Sequence, residues 1–345
     1  MYCIVYTIHK TMYFFLLLSL LPIVAAGDHF SRFEGFIQKY GKQYNSVEEF
    51  NSRFEIYRDN MEFAMNENAR QNNYTLGETI FSDLNLDEFH YYKNNYMVGS
   101  TCESFKSVDV DAPVELDWRE KGAVTPVKDQ GQCGSCWAFS TIQAVESATA
   151  IKYGTLPKLS EQELVDCDTL KNGGRDHGCN GGLMDNAFNW IGKSDGVCDE
   201  SSYPYTSGVS KTSGTCTMKS CTNTDNTDVI NHVDVQVNSD SAMMTALSLQ
   251  PVSVAIEADQ KTFQLYSSGV FVGECGTSLD HGVGLVGYGT MGGVDYYILR
   301  NSWGNTWGDG GYMYLGRGND PATGKTFNGG AGQCGVLGQA SYPVV

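Results

Sequence analysis

Gln130-Gly131-Gln132-Cys133-Gly134-Ser135-Cys136-Trp137-Ala138-Phe139 is the stretch from which the rest of the chain can be read. Cys136 opens a run carrying Trp137, Ile142, Val145 and Ala148 that stops before Gly154, and this spacing predicts a helix over 136–153. A thiol in the first turn meets the positive end of the helix dipole, which favours an anion. A free thiol ionises near pH 8.5, and a helix terminus with a neighbouring imidazole can bring that to about 3–4. Cys136 is therefore the candidate nucleophile. Its own N–H and the side-chain amide of Gln130 are candidate donors to an oxyanion, one such donor being worth about 10²–10³ in rate.

The base must come from elsewhere. Beyond residue 26 the histidines are His29, His90, His177, His232 and His281. Two precede Pro113, and His177 and His232 lie in polar runs that read as solvated surface. His281 stands in Leu279-Asp280-His281-Gly282-Val283, before an apolar run and roughly 145 residues after the thiol. Asn301, in Arg300-Asn301-Ser302-Trp303-Gly304, has an amide suited to holding an imidazole in one tautomer, with Trp303 shielding that contact from water.

Outward from this centre the texture divides. Met12 to Ala26 is an apolar run after Lys10, ending in small residues, the layout of a secretory signal over 1–26, with Met1 or Met12 as initiator. Residues 27 to about 68 read as helix with an apolar stripe of Phe50, Phe54, Tyr57, Met61 and Met65. Asn73-Tyr74-Thr75 is a glycosylation sequon, and 97–112 reads as a linker. Ser160-Glu161-Gln162-Glu163 has the capping-box pattern, with Leu159 and Leu164 placed as its hydrophobic staple, and Leu183 to Ile191 suggests a further helix. After Val229 the period falls to two: Val252, Val254, Ile256 and Ala258 alternate with Ser253, Ala255 and Glu257, and 283–288, 296–301 and 312–315 read as further strands. A helical half followed by a strand-rich half predicts an α+β protein of two lobes with a cleft between them.

A net charge of −17 argues against a nucleic-acid partner. No stretch after the leader is apolar for long enough to cross a membrane, so no membrane partner is expected after signal cleavage. Of eleven cysteines, Cys3 leaves with the signal and Cys102 falls in the linker. Nine remain, and an odd number in an oxidising compartment implies a free thiol. Cys133-Gly-Ser-Cys136 is also a C-x-x-C, the pattern of a redox or zinc site, but no second pair or H-x₃₋₅-H completes a zinc set. No metal and no cofactor is expected.

Gln130 to Ser140, Gly178-Cys-Asn-Gly-Gly-Leu-Met-Asp185, Asp280-His281-Gly282 and Asn301-Ser-Trp-Gly304 together, in this order, resemble the papain family, and within it the cathepsin L group. Glu49, Arg53, Asn60 and Asn68 are similar to the family's helical pro-region motif, with Tyr57 and Ala64 where Phe and Ile are usual. Gly77, Phe81 and Asp83 are similar to its second motif, with Thr79 replacing Asn. The resemblance implies a papain-like fold, a mainly helical lobe (about 120–220) and an antiparallel β-barrel lobe (about 221–335), in a mature domain over 112–345 preceded by an inhibitory pro-region over 27–111. It implies a cysteine endopeptidase made as a zymogen, with Cys136 as nucleophile, His281 as acid–base, Asn301 as its orienter and Gln130 in the oxyanion hole.

Further positions follow from the same likeness. Gly182 becomes a main-chain clamp for substrate, with Asp280 facing it. Leu183, Met184, Ala255, Leu279 and Gly282 become walls of the pocket for the side chain two before the cut, and Gln339 its floor. An apolar side chain is expected there, with some tolerance of polar ones. Trp303 covers the histidine contact. Cys133–Cys179, Cys167–Cys216 and Cys275–Cys334 match the family's bridges, and Cys198 and Cys221 remain as a fourth pair, with Cys216 and Cys221 open to exchange. Expected partners are polypeptide substrates, the chain's own pro-region as intramolecular inhibitor, and cystatin-type inhibitors. The chain is expected to be monomeric, in a lysosome-type compartment or secreted, with acidification loosening the pro-region. The long 316–333 segment reads as a mobile surface loop, and the ending Ser341-Tyr-Pro-Val-Val leaves no added C-terminal domain expected. The competing class is a catalytically dead relative, which would have lost one of Gln130, Cys136, His281 and Asn301.

Overall fold

The computed structural model describes residues 29–70, 72–92, 112–217 and 220–345. The signal-like stretch, Cys102 and the 97–111 part of the linker lie outside the described residues. The described residues form two compact units, one of those up to Phe63 together with Ser82–Leu84, the other of those in Ala64–Phe81 and Asn85–Val345.

The first unit is built on helix α1 (29–40) and most of helix α2 (Val47–Asn68). The single helix expected over 27–68 is broken by Gly41, whose φ of +61° takes it into the left-handed region that ends helices. The chain restarts with a reciprocal cap that sequence inspection passed over: Glu49 N–H donates to Ser46 Oγ and Asn45 N–H to Glu49 Oε2. Phe33 is fully buried among Phe36, Tyr44, Phe50, Phe54 and Tyr57, with ring centroids 5.2–6.0 Å away. Asp83 gathers Lys42 (2.8 Å) and the Tyr44 hydroxyl (3.0 Å), and Arg53 donates to its carbonyl. Asn60 Nδ2 donates to the carbonyls of Ser82 and Leu84. The stripe differs in one place: Met65 is exposed and Ala64 buried. A four-residue step overshoots a full turn by about 40°, and two such steps after Tyr57 carry position 65 off the buried face.

The second unit begins with strand β1 (Tyr74–Leu76) and the short helix α3 (Leu86–Phe89). Its helical part contains α4 (Cys136–Tyr153), α5 (Glu161–Cys167) and α6 (Met184–Ile191). Residues 136–149 of α4 are all buried, so the helix is enclosed rather than amphipathic, and it stops where predicted, on Gly154 at φ +77°. At α5 only half of the capping box forms. Ser160 Oγ accepts from Glu163 N–H, but the Glu163 carboxylate reaches Cys198 N–H instead of turning back. Leu159 and Leu164 share the core cluster with α4 and α6.

The strand-rich part comprises β2 (Leu116–Asp117), β3 (Asn231–Asp234), β4 (Val252–Ile256), β5 (Tyr266–Phe271), β6 (His281–Met291), β7 (Val294–Arg300), β8 (Tyr312–Gly316) and β9 (Ala340–Val344). The strand order is β1-β5-β8-β7-β6-β4-β9-β3, with β2 on β6. Pairing is antiparallel except between β5 and β8, which run parallel. Every residue of β4 is buried although its sequence alternates. Its polar positions face a second packed layer: Ser253 Oγ donates to the Ser140 carbonyl of α4. Segment 316–333 is largely exposed but is held by Phe327, whose ring lies 2.9 Å from where a Cβ on Gly316 would sit.

Candidate active site

Two elements deliver the candidate pair. The start of α4 presents Cys136, and the first residue of β6 is His281, aligned with Ile256 of β4 and fixed by the Asp280 N–H donating to the Ile256 carbonyl at 2.9 Å. The helix lies hard on β6. Ser140 Oγ donates to the Val283 carbonyl at 2.7 Å, and a Cβ on Gly284 would sit 1.5 Å from Gln143 Nε2, so only glycine permits the approach.

Cys136 is fully buried and is the free cysteine among the described residues. Its sulfur accepts the N–H of Gly282 at 3.3 Å. His281, also fully buried, meets Asn301 Oδ1 through Nε2 at 2.8 Å and stacks on Trp303 with centroids 4.6 Å apart. Asn301 Oδ1 also accepts the Ser302 N–H, so it faces His281 as an acceptor, Nε2 carries a proton, and Nδ1 is left as the basic nitrogen. Asn301 follows β7 directly and its N–H donates to the Gly311 carbonyl.

The expected low-pKa thiol is not what this closed state holds. Burial pushes the Cys136 thiol up to about 12, against the N–H of Gly282, and the charge of Asp280 adds to the rise. Gln130 explains part of the closure. Its Oε1 accepts from Ser302 Oγ, and its Nε2, the candidate oxyanion donor, gives to the carbonyls of Tyr92 and Cys133, both at 3.0 Å. Within the second unit, residues 74–81 are fastened to the same half. β1 pairs antiparallel with β5, Thr79 Oγ1 donates to the Gln264 carbonyl, and Gln264 Nε2 donates to that of Phe81. Phe81 and Phe89 set their edges on Trp303 at 5.1 and 5.3 Å. Trp303, expected as a shield, is thus itself covered.

Of the expected pocket residues, Met184, Ala255, Gly282 and Gln339 are linked by direct contacts: Gly282 lies by Met184 and pairs with Ala255, whose N–H the Gln339 carbonyl accepts. Leu183, Met184 and Ala255 are buried. Gly282 pairs with Ala255, and a Cβ there would lie 3.2 Å from Met184 Sδ. Leu279 packs on Gly335 and against the helical core. Gln339 is half-buried, its carbonyl accepting Ala255 N–H, while its Nε2 is buried with no acceptor among the described residues. Gly182 is pressed against the Trp137 ring, and Asp280 Oδ1 accepts the Ala258 N–H. Disulfides join Cys133–Cys179, Cys167–Cys216, Cys198–Cys221 and Cys275–Cys334. Asn73 is exposed at the start of β1. His177 is exposed, but His232, read as solvated, is largely covered and stacks on Phe188.

Some contributors were not picked out from sequence. Ser302, whose Oγ donates to Gln130 Oε1, is a common polar residue with no distinctive pattern, and Tyr205, whose hydroxyl donates to the Gln130 carbonyl and pairs with Ser135, has none either. Tyr92 acts through its backbone carbonyl, which no side-chain pattern reveals.

Residues 112–344 match the family described as papain family cysteine protease, and residues 33–89 match the cathepsin propeptide inhibitor domain (I29). The chain is 46% identical to the probable cysteine protease RD21B of Arabidopsis thaliana over 90% of its own length and 66% of that relative, so it spans just under two thirds of it. It is 45% identical to the cysteine protease XCP2 of the same plant, over 90% of this chain and 85% of the other. The structure of digestive procathepsin L 3 from Tenebrio molitor larval midgut is similar with a TM-score of 0.79 and 34% identity, covering 92% of this chain and 99% of that one. On these matches, and on the site geometry they accompany, the chain belongs to the papain family of cysteine proteases.

Proposed function

We propose that this chain is the autoinhibited precursor of a cysteine endopeptidase. The observation that carries the reading is one sulfur: Cys136, the free thiol among the described residues, accepts the N–H of Gly282, the residue that follows His281, whose Nε2 is held by Asn301. In the proposed cycle Cys136 gives its proton to His281 Nδ1 and its sulfur bonds to the scissile carbonyl carbon. The oxyanion takes the N–H of Cys136 and the amide of Gln130. His281 passes the proton to the leaving nitrogen as the C–N bond breaks, leaving a thioester. Water then yields a proton to His281 and adds to the thioester. The C–S bond breaks, the acid product leaves and the thiol is restored.

Inhibition is read from the same contacts. The Tyr92 carbonyl occupies the Gln130 amide, and burial keeps the nucleophile protonated. Release of the pro-region from about residue 27 to 111 returns water to the sulfur and frees that amide, with the mature domain running from about Ala112. Acid-triggered release is part of the proposal, and the fold of the pro-region that must loosen is tied together where Asp83 gathers Lys42 and Tyr44. The pocket of Leu183, Met184, Ala255, Leu279 and Gly282 over Gln339 supports a preference for Leu, Phe or Val two residues before the cut. A secretory leader over 1–26, glycosylation at Asn73, sensitivity to cystatin-type inhibitors, a monomeric state and residence in a lysosome-type compartment or outside the cell complete the proposal.

The test is incubation of the precursor at about pH 4–5 with a dipeptide substrate panel and a thiol-reactive peptide epoxide, beside Cys136→Ala. Processing, activity and labelling at Cys136 alone are expected of the wild type. Undiminished activity in Cys136→Ala, or labelling at another cysteine, would end the proposal.

A further inference from the structure

Residues 181–183, which include Leu183 of the proposed substrate pocket, follow a loop over 168–180 that holds two buried carboxyl groups. Asp168 is 0% and Asp176 1% exposed, the Asp176 N–H donates to the Asp168 carbonyl at 3.2 Å, and each carboxyl acts on the other. Asp168 Oδ1 accepts the Arg175 N–H at 3.0 Å. Asp176 Oδ1 accepts the Leu183 N–H at 3.0 Å and the Asn186 amide at 2.9 Å. The remaining oxygen of each, Oδ2, is buried with no donor among the described residues. The surroundings leave no slack: a Cβ on Gly174 would lie 2.0 Å from Asp168 Oδ1, and one on Gly182 2.7 Å from Asp176 Cγ. Two ionised carboxylates cannot share such a site, because their repulsion is unscreened and their lone pairs meet no hydrogen.

We propose that Asp168 and Asp176 hold one proton between them, and that this pair is a positioning device that fixes residues 181–183 through the Leu183 N–H. The wider charge setting leaves the pair to itself. Lys171, Arg175 and His177 on the loop are exposed, as is Lys193 beyond α6, whose field acts on Asp168. On α5, Asp166 is occupied by Gln162, Gly214 and Tyr203, and on α6 Asp185 accepts from Ser341. Burial, then the charge of Asp168, raises Asp176 to about 9. A raised carboxyl means that the folded chain keeps a proton the unfolded chain releases. Stability is therefore full below the ordinary carboxyl range and falls as pH rises towards about 9. One proton makes the unfolding constant rise about tenfold per pH unit across that window.

Asp176→Asn separates the device from its bulk. The amide oxygen still accepts from Leu183 and Asn186, and the NH₂ supplies permanently the hydrogen that the pair holds by protonation. The test is denaturant unfolding of the full-length Cys136→Ala precursor from pH 5 to pH 8.5, with and without Asp176→Asn. The Asn variant should match its parent at pH 5 and lose about tenfold less in unfolding constant per pH unit above it. Equal pH slopes in the two proteins would overturn the proposal. If Asp176→Asn fails to fold, Asp168→Asn places the same hydrogen from the other side and carries the same test. In activated enzyme, KM should climb above pH 7 in the wild type and stay level in Asp176→Asn, with kcat following the same pH curve in both. A KM that climbs equally in both would refute the positioning role. This kinetic arm rests on the proposed function; the unfolding arm needs no peptidase activity, so the two readings fail separately.

Discussion

Replacing Phe81 by alanine should unlatch the precursor. Phe81 is 3% exposed and lies 5.1 Å from the ring of Trp303, 4.7 Å from Tyr92 and 5.2 Å from Phe89. Its carbonyl bond from Gln264 is made by the backbone and survives the substitution. What is lost is the buried ring, worth about 3–5 kcal/mol when truncated in a packed core. In the opened precursor that ring is in water, so the loss falls on the closed form alone. At about 1.4 kcal/mol per tenfold, and taking the lower end because the aromatic neighbours can partly close the gap, the open fraction rises roughly 100- to 1000-fold. Cys136 is fully buried in the closed form, so alkylation of the precursor at neutral pH reports the open fraction. The expected outcome is a labelling rate higher by that factor, with the mature enzyme labelled equally fast whichever precursor it came from. A rate within about threefold of wild type would refute the idea that this aromatic contact holds the latch.

Three other outcomes are expected. Gln339→Ala removes a buried amide N–H that has no acceptor among the described residues, and a desolvated donor costs about 1–3 kcal/mol. Selectivity for apolar over polar side chains two before the cut should rise at least fivefold in kcat/KM, and an unchanged substrate profile would dispose of that role. Gln130→Ala should lower kcat of the mature enzyme by about 10²–10³ with KM little altered, checked by steady-state kinetics. Lys128 bridges the buried carboxylates of Glu146 (2.9 Å) and Glu161 (2.6 Å), and stranding such charges costs about 3–5 kcal/mol. Lys128→Met should therefore lower the melting temperature. Burial raises Glu161 to about 7 against the pull of Lys128, so below that pH Glu161 takes up a proton and the deficit should be smaller at pH 5 than at pH 8.

The helix from Cys136 to Tyr153 was legible because a buried stripe and a terminal glycine point the same way, and His281 was legible because its local block admits few roles. The strands after Val229 were legible as period two, but not that β4 would be buried on both faces, since alternation reports the chemistry of two faces and not what covers them. The break at Gly41 was visible in the glycine itself, but the apolar stripe from Phe50 to Met65 begins after it and reports nothing about where the helix starts. Two features had no sequence signal at all. The raised thiol depends on burial by distant segments, and the Asp168–Asp176 meeting depends on a loop folding back on itself. Tyr92 closes the oxyanion donor through a carbonyl every residue possesses.

The seam between β1 and β5 has a consequence for the order of events in the life of the molecule. Until maturation, the outer rim of the sheet is zipped to a neighbour from its own chain, with Tyr74 opposite Gly269. Under the proposed maturation, excision of that neighbour would bare a row of main-chain donors and acceptors along Tyr266–Phe271, the kind of rim on which other chains can lay down a ribbon. Because the rim is uncovered only after the core has set, the crowded early hours of folding pass with the sticky margin already sheathed.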